Sequence, residues 1–290
     1  MPTIRRIRHT QQSQPTLEGA GVHLKRAFGN VEAPMFDPFL LLDDFRSDTP
    51  AHYLKGFPWH PHRGIETITY VLAGDVEHGD SLGNLGVIGS GDVQWMTAGS
   101  GIIHQEMPKG DRQGRMHGFQ LWANLPARDK MMDPRYRGVT AAEIPVVALP
   151  GGATVKVIAG TVDGTRGPVA DVVTDPEYLD VTLPPDSTFR HPTRAAHTVI
   201  AYVIGGEGRF GGEAGPLLGN GMLAHFGDGD EVHVSTGAHQ ARFLLIAGKP
   251  IGEPVAWYGP IVMNTEEELR IAFEEYERGT FIKYNPGPAA

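Results

Sequence analysis

The sequence predicts an all-β protein built as two small barrels in one chain, with one short helix near its end. Three observations carry this. Short apolar runs recur along the chain between turn-forming residues, and 38 Gly and 23 Pro are too many for a helical protein of 290 residues. The runs alternate, or are continuously apolar over a few residues, which is the habit of strands. The halves also rhyme: Gly89-Ser90-Gly91-Asp92 precedes one run and Gly227-Asp228-Gly229-Asp230 another. A histidine followed by a β-rich stretch and a glycine turn occurs near His62 and again near His197.

Taken in order, Phe39 to Leu42 reads as a buried strand. Glu66 to Leu72 alternates and ends at Gly74-Asp75, a hairpin signal. Asp80 to Asn84 reads as a turn, and Asp92 to Met96 and Gly118 to Ala123 as further strands. Pro126 to Gly138 is polar and proline-interrupted, a loop or short helical turn near a domain boundary. This gives domains 1–138 and 139–290. Strands resume at Thr154 to Ile158, Leu179 to Leu183, Thr198 to Ile204, Glu231 to Val234 and Arg242 to Ala247, with Gly205 to Gly208 as a hairpin turn. The helix begins at Thr265, where Thr265-Glu266-Glu267-Glu268 fits a capping box. Leu269, Phe273 and Tyr276 form its apolar stripe and Gly279 its stop.

Composition removes several classes of function. With no cysteine, disulfides, zinc–thiolate sites and thiol nucleophiles are excluded, and a reducing cytoplasm suits the chain. A formal net charge of -9 opposes direct nucleic-acid binding through phosphates. The polar, basic N-terminus carries no signal-peptide core, and no apolar run is long enough to span a membrane. No serine triad order, phosphate-cradling loop or zinc-protease helix is visible. A soluble cytoplasmic protein is expected.

What remains is a pair of motifs, His60-Pro61-His62 and His104-Gln105-Glu106. Side chains two apart on a strand share a face, so each motif offers two ligand-capable groups to one side. If the motifs lie on adjacent antiparallel strands, His60, His62, His104 and Glu106 converge. Imidazole and carboxylate suit Fe(II), Mn, Ni, Cu or Zn, and the ligand types alone do not choose. Four protein ligands on an octahedral metal leave two positions for substrate and for dioxygen or water. Such a site favours a substrate oxygen bound as an anion. Glu66 competes with Glu106, because a regular strand would put it on the face of His60 and His62; the unused carboxylate would be a hydrogen-bond partner or a general base. His117 suits a core or rim position. His52, His78, His233 and His239 sit in polar contexts and are expected to be exposed. His191 and His197 lie in a half with no HxH or HxE, so no metal is expected there. Phe39, Phe57, Trp59, Trp95, Met96 and Met107 flank the motifs as pocket wall or plain core.

These residues resemble the pirin family of the cupin superfamily. The similarity runs through FDPFLLLDDF (Phe36 to Phe45), GFPWHPHRGIETITYVLAG (Gly56 to Gly74) and GDVQWMTAGSGIIHQEMP (Gly91 to Pro108). It continues in HGFQLWANLP (His117 to Pro126) and GPIVMNTEEELRIAF (Gly259 to Phe273). Ala98-Gly99 departs from the general cupin spacing before the second motif, a departure pirins share. The resemblance implies two cupin barrels, with a metal, typically iron, in the N-terminal one only. It implies His60, His62, His104 and Glu106 as ligands, favouring Glu106 over Glu66.

For function the resemblance implies two classes: opening of quercetin with dioxygen, and iron-dependent contact with a regulatory protein or metabolic enzyme. The leading expectation is a metal-dependent dioxygenase of the quercetinase type. A flavonol 3-hydroxyl would bind as an anion, Glu106 or Glu66 would take its proton, and carbon monoxide and a depside would be released. The alternative is a non-enzymatic, metal-sensing partner of another protein; a weaker third is an isomerase or hydrolase using the metal as a Lewis acid. Two barrels in one chain favour a monomer.

Overall fold

The computed structural model describes residues 2–284. The described chain is mostly strand, with one α-helix and short 3-10 turns, and it divides into two compact units.

The N-terminal unit holds two sheets. The larger has seven strands in the order Arg135–Val139, Val93–Thr97, Ile65–Ala73, His117–Asn124, Phe39–Asp44, Val22–Phe28 and Gln14–Glu18. The smaller has four, in the order Phe57–His62, Ile102–Lys109, Asp75–Asp80 and Leu85–Ile88. Phe39–Leu42 is buried, as its unbroken apolar run predicts, and the strand continues through Asp43 and Asp44, which are buried as well. Gly74, with φ +82°, makes the expected turn from Ile65–Ala73 into Asp75–Asp80. The Asp80 carboxylate accepts the Leu82 and Asn84 amides at 2.9 and 3.0 Å, which fixes the predicted turn there. Arg135–Val139 corrects the reading of that segment as loop: it is an edge strand paired to Val93–Thr97.

The C-terminal unit is a ten-stranded sheet wrapped around an apolar core. The expected strands are present as Thr154–Ala159, Glu177–Leu183, Thr198–Phe210, Glu231–Ser235 and Ala241–Gly248. The turn expected at Gly205 to Gly208 is not there, because Thr198–Phe210 runs straight through it. The glycines instead make a bulge beside Ala241–Gly248, and a side chain on Gly206 would overlap the Gln240 carbonyl oxygen. The chain turns later, at Gly211 and Gly212, both with positive φ.

The expected domains 1–138 and 139–290 are corrected at both ends. Residues through Gln14, with Met35–Pro38, belong to the C-terminal unit, where Ile7–Gln12 adds an edge strand to Met222–Phe226. Residues 251–284 belong to the N-terminal unit. There the helix Glu266–Glu277 starts on the predicted capping box of Thr265 and Glu268. Its Leu269 and Ala272 pack with Ile261, Met263 and Phe281. Ala272, rather than the expected Tyr276, completes the buried face; Tyr276 is exposed and meets Phe281 edge-on. Gly279, with φ +71°, ends the helix as expected.

Candidate metal centre

The two motifs lie on adjacent antiparallel strands. Phe57–His62 pairs with Ile102–Lys109 so that His60 stands opposite His104. Ligand-capable nitrogens of His60, His62 and His104 lie within 4.8 Å of one another. Nε2 of His60 is 3.1 Å from Nε2 of His62 and 3.0 Å from Nε2 of His104.

The protons on these rings follow from their other contacts. His60 Nδ1 faces the Pro58 carbonyl oxygen at 2.8 Å, and His62 Nδ1 faces that of Pro260 at 3.0 Å. A carbonyl only accepts, so each Nδ1 carries a proton, and in the neutral ring Nε2 keeps a lone pair. Burial, and then the neighbouring imidazoles, push the His62 and His104 rings well below the usual histidine range, so both are neutral. Lone pairs facing one another at 3 Å repel. A cation among them removes the repulsion, so the donor set fits a divalent transition metal.

Glu106 is buried and lies one inward position beyond His104, past a bulge between the two. Its Oε1 accepts a hydrogen bond from Thr69 Oγ1 at 2.7 Å. It stands outside the tight histidine group, held toward the larger sheet.

Glu66 is on the other side. Gly64, with φ +78°, breaks the strand between His62 and Ile65, so the spacing of four from His62 does not preserve the face. Thr69 faces the cavity described below, and Glu66 points to the opposite face of the same strand, where Thr97 donates to it at 2.7 Å. Burial pushes its carboxyl up, against the pull of Thr97 and of Arg135 and Arg137.

His62 and its turn are held by buried cations that the sequence reading missed. Lys130 Nζ donates to Gly64 O at 2.9 Å, Asn124 Oδ1 at 2.7 Å and Val262 O at 3.0 Å. Arg63 donates to Ser100 O, Glu275 Oε2 and Phe281 O, and its guanidinium lies 4.2 Å over the Phe281 ring. Lys130 anchors the segment whose Pro260 carbonyl orients His62, and the Arg63 backbone bridges to the same segment at Ile261.

The other histidines stand outside this group, although the His78 ring lies 5.6 Å from that of His104. His78, expected to be exposed, is buried between Asp80 and the Tyr136 ring, because its strand pairs it with Glu106 on the inner face. His233, also expected outside, is buried beside Glu231 at 2.8 Å. His239 is exposed, His52 stacks half-buried on His23, and His117 sits at the rim against Asp48. His191 is buried beside Glu177, and His197 is half-buried.

A cavity of about 650 Å³ opens beside the histidines. His60, His62, Glu106 and Thr69 line one part of it, and Phe57, Trp59, Leu24, Leu41, Phe45 and Trp122 give it apolar walls. Of the flanking aromatic and methionine residues, Phe57 and Trp59 reach this wall, whereas Phe39, Trp95 and Met96 are core. Met107 is half-buried outside the lining. Asp43 and Arg26 form a two-pronged ion pair in the wall at 2.8 and 2.7 Å. Burial pushes the Asp43 carboxyl up to about 6 against the pull of Arg26.

A family profile described as Pirin matches residues 21–123, and one described as the Pirin C-terminal cupin domain matches residues 178–282. A pirin-like protein of Caulobacter vibrioides is 49% identical over 279 residues, covering 96% of this chain and 99% of the relative. Pirin-1 of Arabidopsis thaliana is 42% identical, over 90% of this chain and 88% of its own. Among solved structures, quercetin 2,3-dioxygenase from Acinetobacter baumannii superposes with a TM-score of 0.88 at 30% identity, over 96% of this chain and 98% of that one. Among the described residues, no helix is long and apolar enough to cross a membrane.

Proposed function

The chain belongs to the pirin family, with two cupin domains, and we propose that it is a metal-dependent dioxygenase that opens quercetin-type flavonols or related enolic phenols. The observation that carries this reading is the convergence of three imidazole Nε2 atoms beside a buried carboxylate, on the wall of an aromatic-lined cavity. His60, His62 and His104 would hold the metal, with Glu106 as its fourth ligand, and we assign Fe(II) to the site. A metal bound there supplies Lewis-acid and redox chemistry, favouring the ionised form of an enolic hydroxyl.

The chain's own residues do the rest. Glu106 takes the proton of the enolic hydroxyl, and Thr69 holds its carboxylate in place. The rings of Phe57 and Trp122 orient a flat substrate and exclude water from the reacting oxygen. The overall change is addition of dioxygen to the flavonol, with loss of one ring carbon as carbon monoxide and formation of a depside. The name of the Acinetobacter baumannii structure supports the same chemistry.

Carbon monoxide release from quercetin under oxygen tests this, with iron-loaded wild type beside a folded His62→Ala variant. Release by wild type alone is the expected result. No release from verified iron-loaded protein would overturn the enzyme reading and direct attention to iron-dependent contact with a partner protein.

A further inference from the structure

One feature of the cavity is not explained by holding a metal. Arg26, Asp43, Gln120 and Thr69 stand in register across four neighbouring strands: Arg26 opposite Asp43, Asp43 opposite Gln120, Gln120 opposite Thr69. All except Thr69 and Gln120 are charged, and all four line the same cavity wall. Apolar residues such as Leu24 and Leu41 line it on either side. A buried ion pair is weak support for a fold, since well-packed apolar residues of similar volume commonly do as well or better. The row therefore calls for a second reason.

Its hydrogen-bonding capacity is only partly used. Arg26 commits Nε and Nη2 to Asp43, and Nη2 also meets Glu18 at 2.9 Å. Among the described residues, its Nη1 has no partner. The one Thr69 hydroxyl proton goes to Glu106, so Gln120 meets Thr69 at 2.6 Å as the donor, through its amide nitrogen, and its carbonyl oxygen has no partner among them. Glu18 and Asp43 outnumber the one guanidinium, so this part of the wall disfavours a carboxylate or phosphate. It suits a hydroxyl, which donates to a carboxylate oxygen and accepts from Nη1.

The spacing sets the ligand's size. Asp43 and Thr69 are two strands apart, which is about 10 Å. Thr69 carries Glu106, the carboxylate beside the histidines. A ligand that reaches from Thr69, beside Glu106, to a hydroxyl contact at Asp43 must bridge about this distance, more than a single phenol ring spans.

We propose that Arg26, Asp43 and Gln120 form a recognition subsite for the far hydroxyls of a multi-ring phenol, selecting flavonols hydroxylated on the pendant ring. The subsite rests on the dioxygenase reading for its substrate class but not for its test. The test is equilibrium binding to iron-loaded protein without oxygen, followed by quenching of tryptophan fluorescence, since Trp122 and Trp257 line the cavity. Quercetin is compared with galangin, the same flavonol lacking the pendant-ring hydroxyls. Wild type should bind quercetin about tenfold more tightly. The Arg26→Met/Asp43→Leu double variant should bind both within about twofold, with its galangin affinity unchanged. Gln120→Leu, a milder change should the double variant not fold, should reduce the preference about threefold. Equal affinities in wild type, or a preference that survives in the folded variants, would overturn the subsite. Selective binding without carbon monoxide release would leave the subsite standing and sink the dioxygenase. Release from both flavonols with equal affinity would do the reverse.

Discussion

Replacing Lys130 by methionine tests how the histidine motif is held. Lys130 is 1% exposed and surrounds its ammonium with three oxygen acceptors. Burial pushes the amine from 10.5 down to about 7, against the pull of Glu253 and Glu268. Keeping it charged in the fold at low pH therefore costs about 5 kcal/mol. This net figure already contains the hydrogen bonds from the ammonium to Gly64 O, Asn124 Oδ1 and Val262 O. Methionine removes the charge and leaves Gly64 O, Asn124 Oδ1 and Val262 O without their donor, so a net loss of about 2–4 kcal/mol is expected in urea unfolding at pH 7. The pH dependence is sharper than the magnitude. The folded amine releases its proton near pH 7, while the unfolded chain holds it to 10.5. Between these values the unfolded state binds more protons, so the stability contributed by Lys130 rises with pH, by up to about 1.4 kcal/mol per pH unit. The gap between wild type and Lys130→Met should widen from pH 7 to pH 9. Metal affinity should fall about tenfold, because the Gly64 turn and the Val262 strand carry the orientation of His62. A gap that stays flat with pH would refute the depressed amine, and wild-type stability in the variant would refute the accounting.

Three further outcomes are expected. Thr69→Val removes the hydroxyl that holds Glu106, and should lower the rate of carbon monoxide release about tenfold while leaving one metal bound per chain, read by metal analysis. Glu275→Gln breaks the ion pair to buried Arg63 and should cost about 1–2 kcal/mol in urea unfolding, whereas Glu267→Gln, on the exposed helix face, should leave the midpoint unchanged. Asp43 has a folded-state pKa raised to about 6, so its contribution to stability is full below about pH 4 and is lost as pH rises through 6. Asp43→Asn should remove this dependence, with the gap to wild type changing by up to about 3 kcal/mol between pH 4 and pH 6 in thermal unfolding.

The sequence disclosed what depends on short spacing. The ligand-capable pairs His60/His62 and His104/Glu106 were readable because a strand repeats every two residues. The capping box was readable because it is complete within four residues. What failed depended on distant pairing or on a single backbone angle. Spacing alone does not separate Glu66 from Glu106, because the break that Gly64 makes between His62 and Ile65 is a single backbone angle. His78 looked exposed because Glu77, Gly79 and Asp80 surround it, yet pairing with Ile102–Lys109 turns it inward opposite Glu106. Lys130 and Arg63 are cations in polar-looking segments, and nothing local marks them as buried. Thr69 was legible in principle, since alternation along Ile65–Ala73 puts it opposite in face to Glu66.

The two barrels use the same architecture in opposite ways. In the C-terminal unit Phe210 and Phe189 each pack on Phe243, at ring separations of 5.2 and 5.7 Å, among valines and leucines. These rings fill the interior, and a filled interior gives stability without chemistry. The N-terminal unit gives up that filling: its inner face carries Arg26, Asp43, Gln120 and Thr69 beside an open cavity. An open, polar interior must be held by contacts outside it. Arg63 ties the motif strand to Glu275 of the helix and to Phe281 beyond it, and Lys130 ties the motif turn to Asn124 and Val262. The helix and the segment after it, within residues 251–284 of the N-terminal unit, are thus part of the support for the histidines.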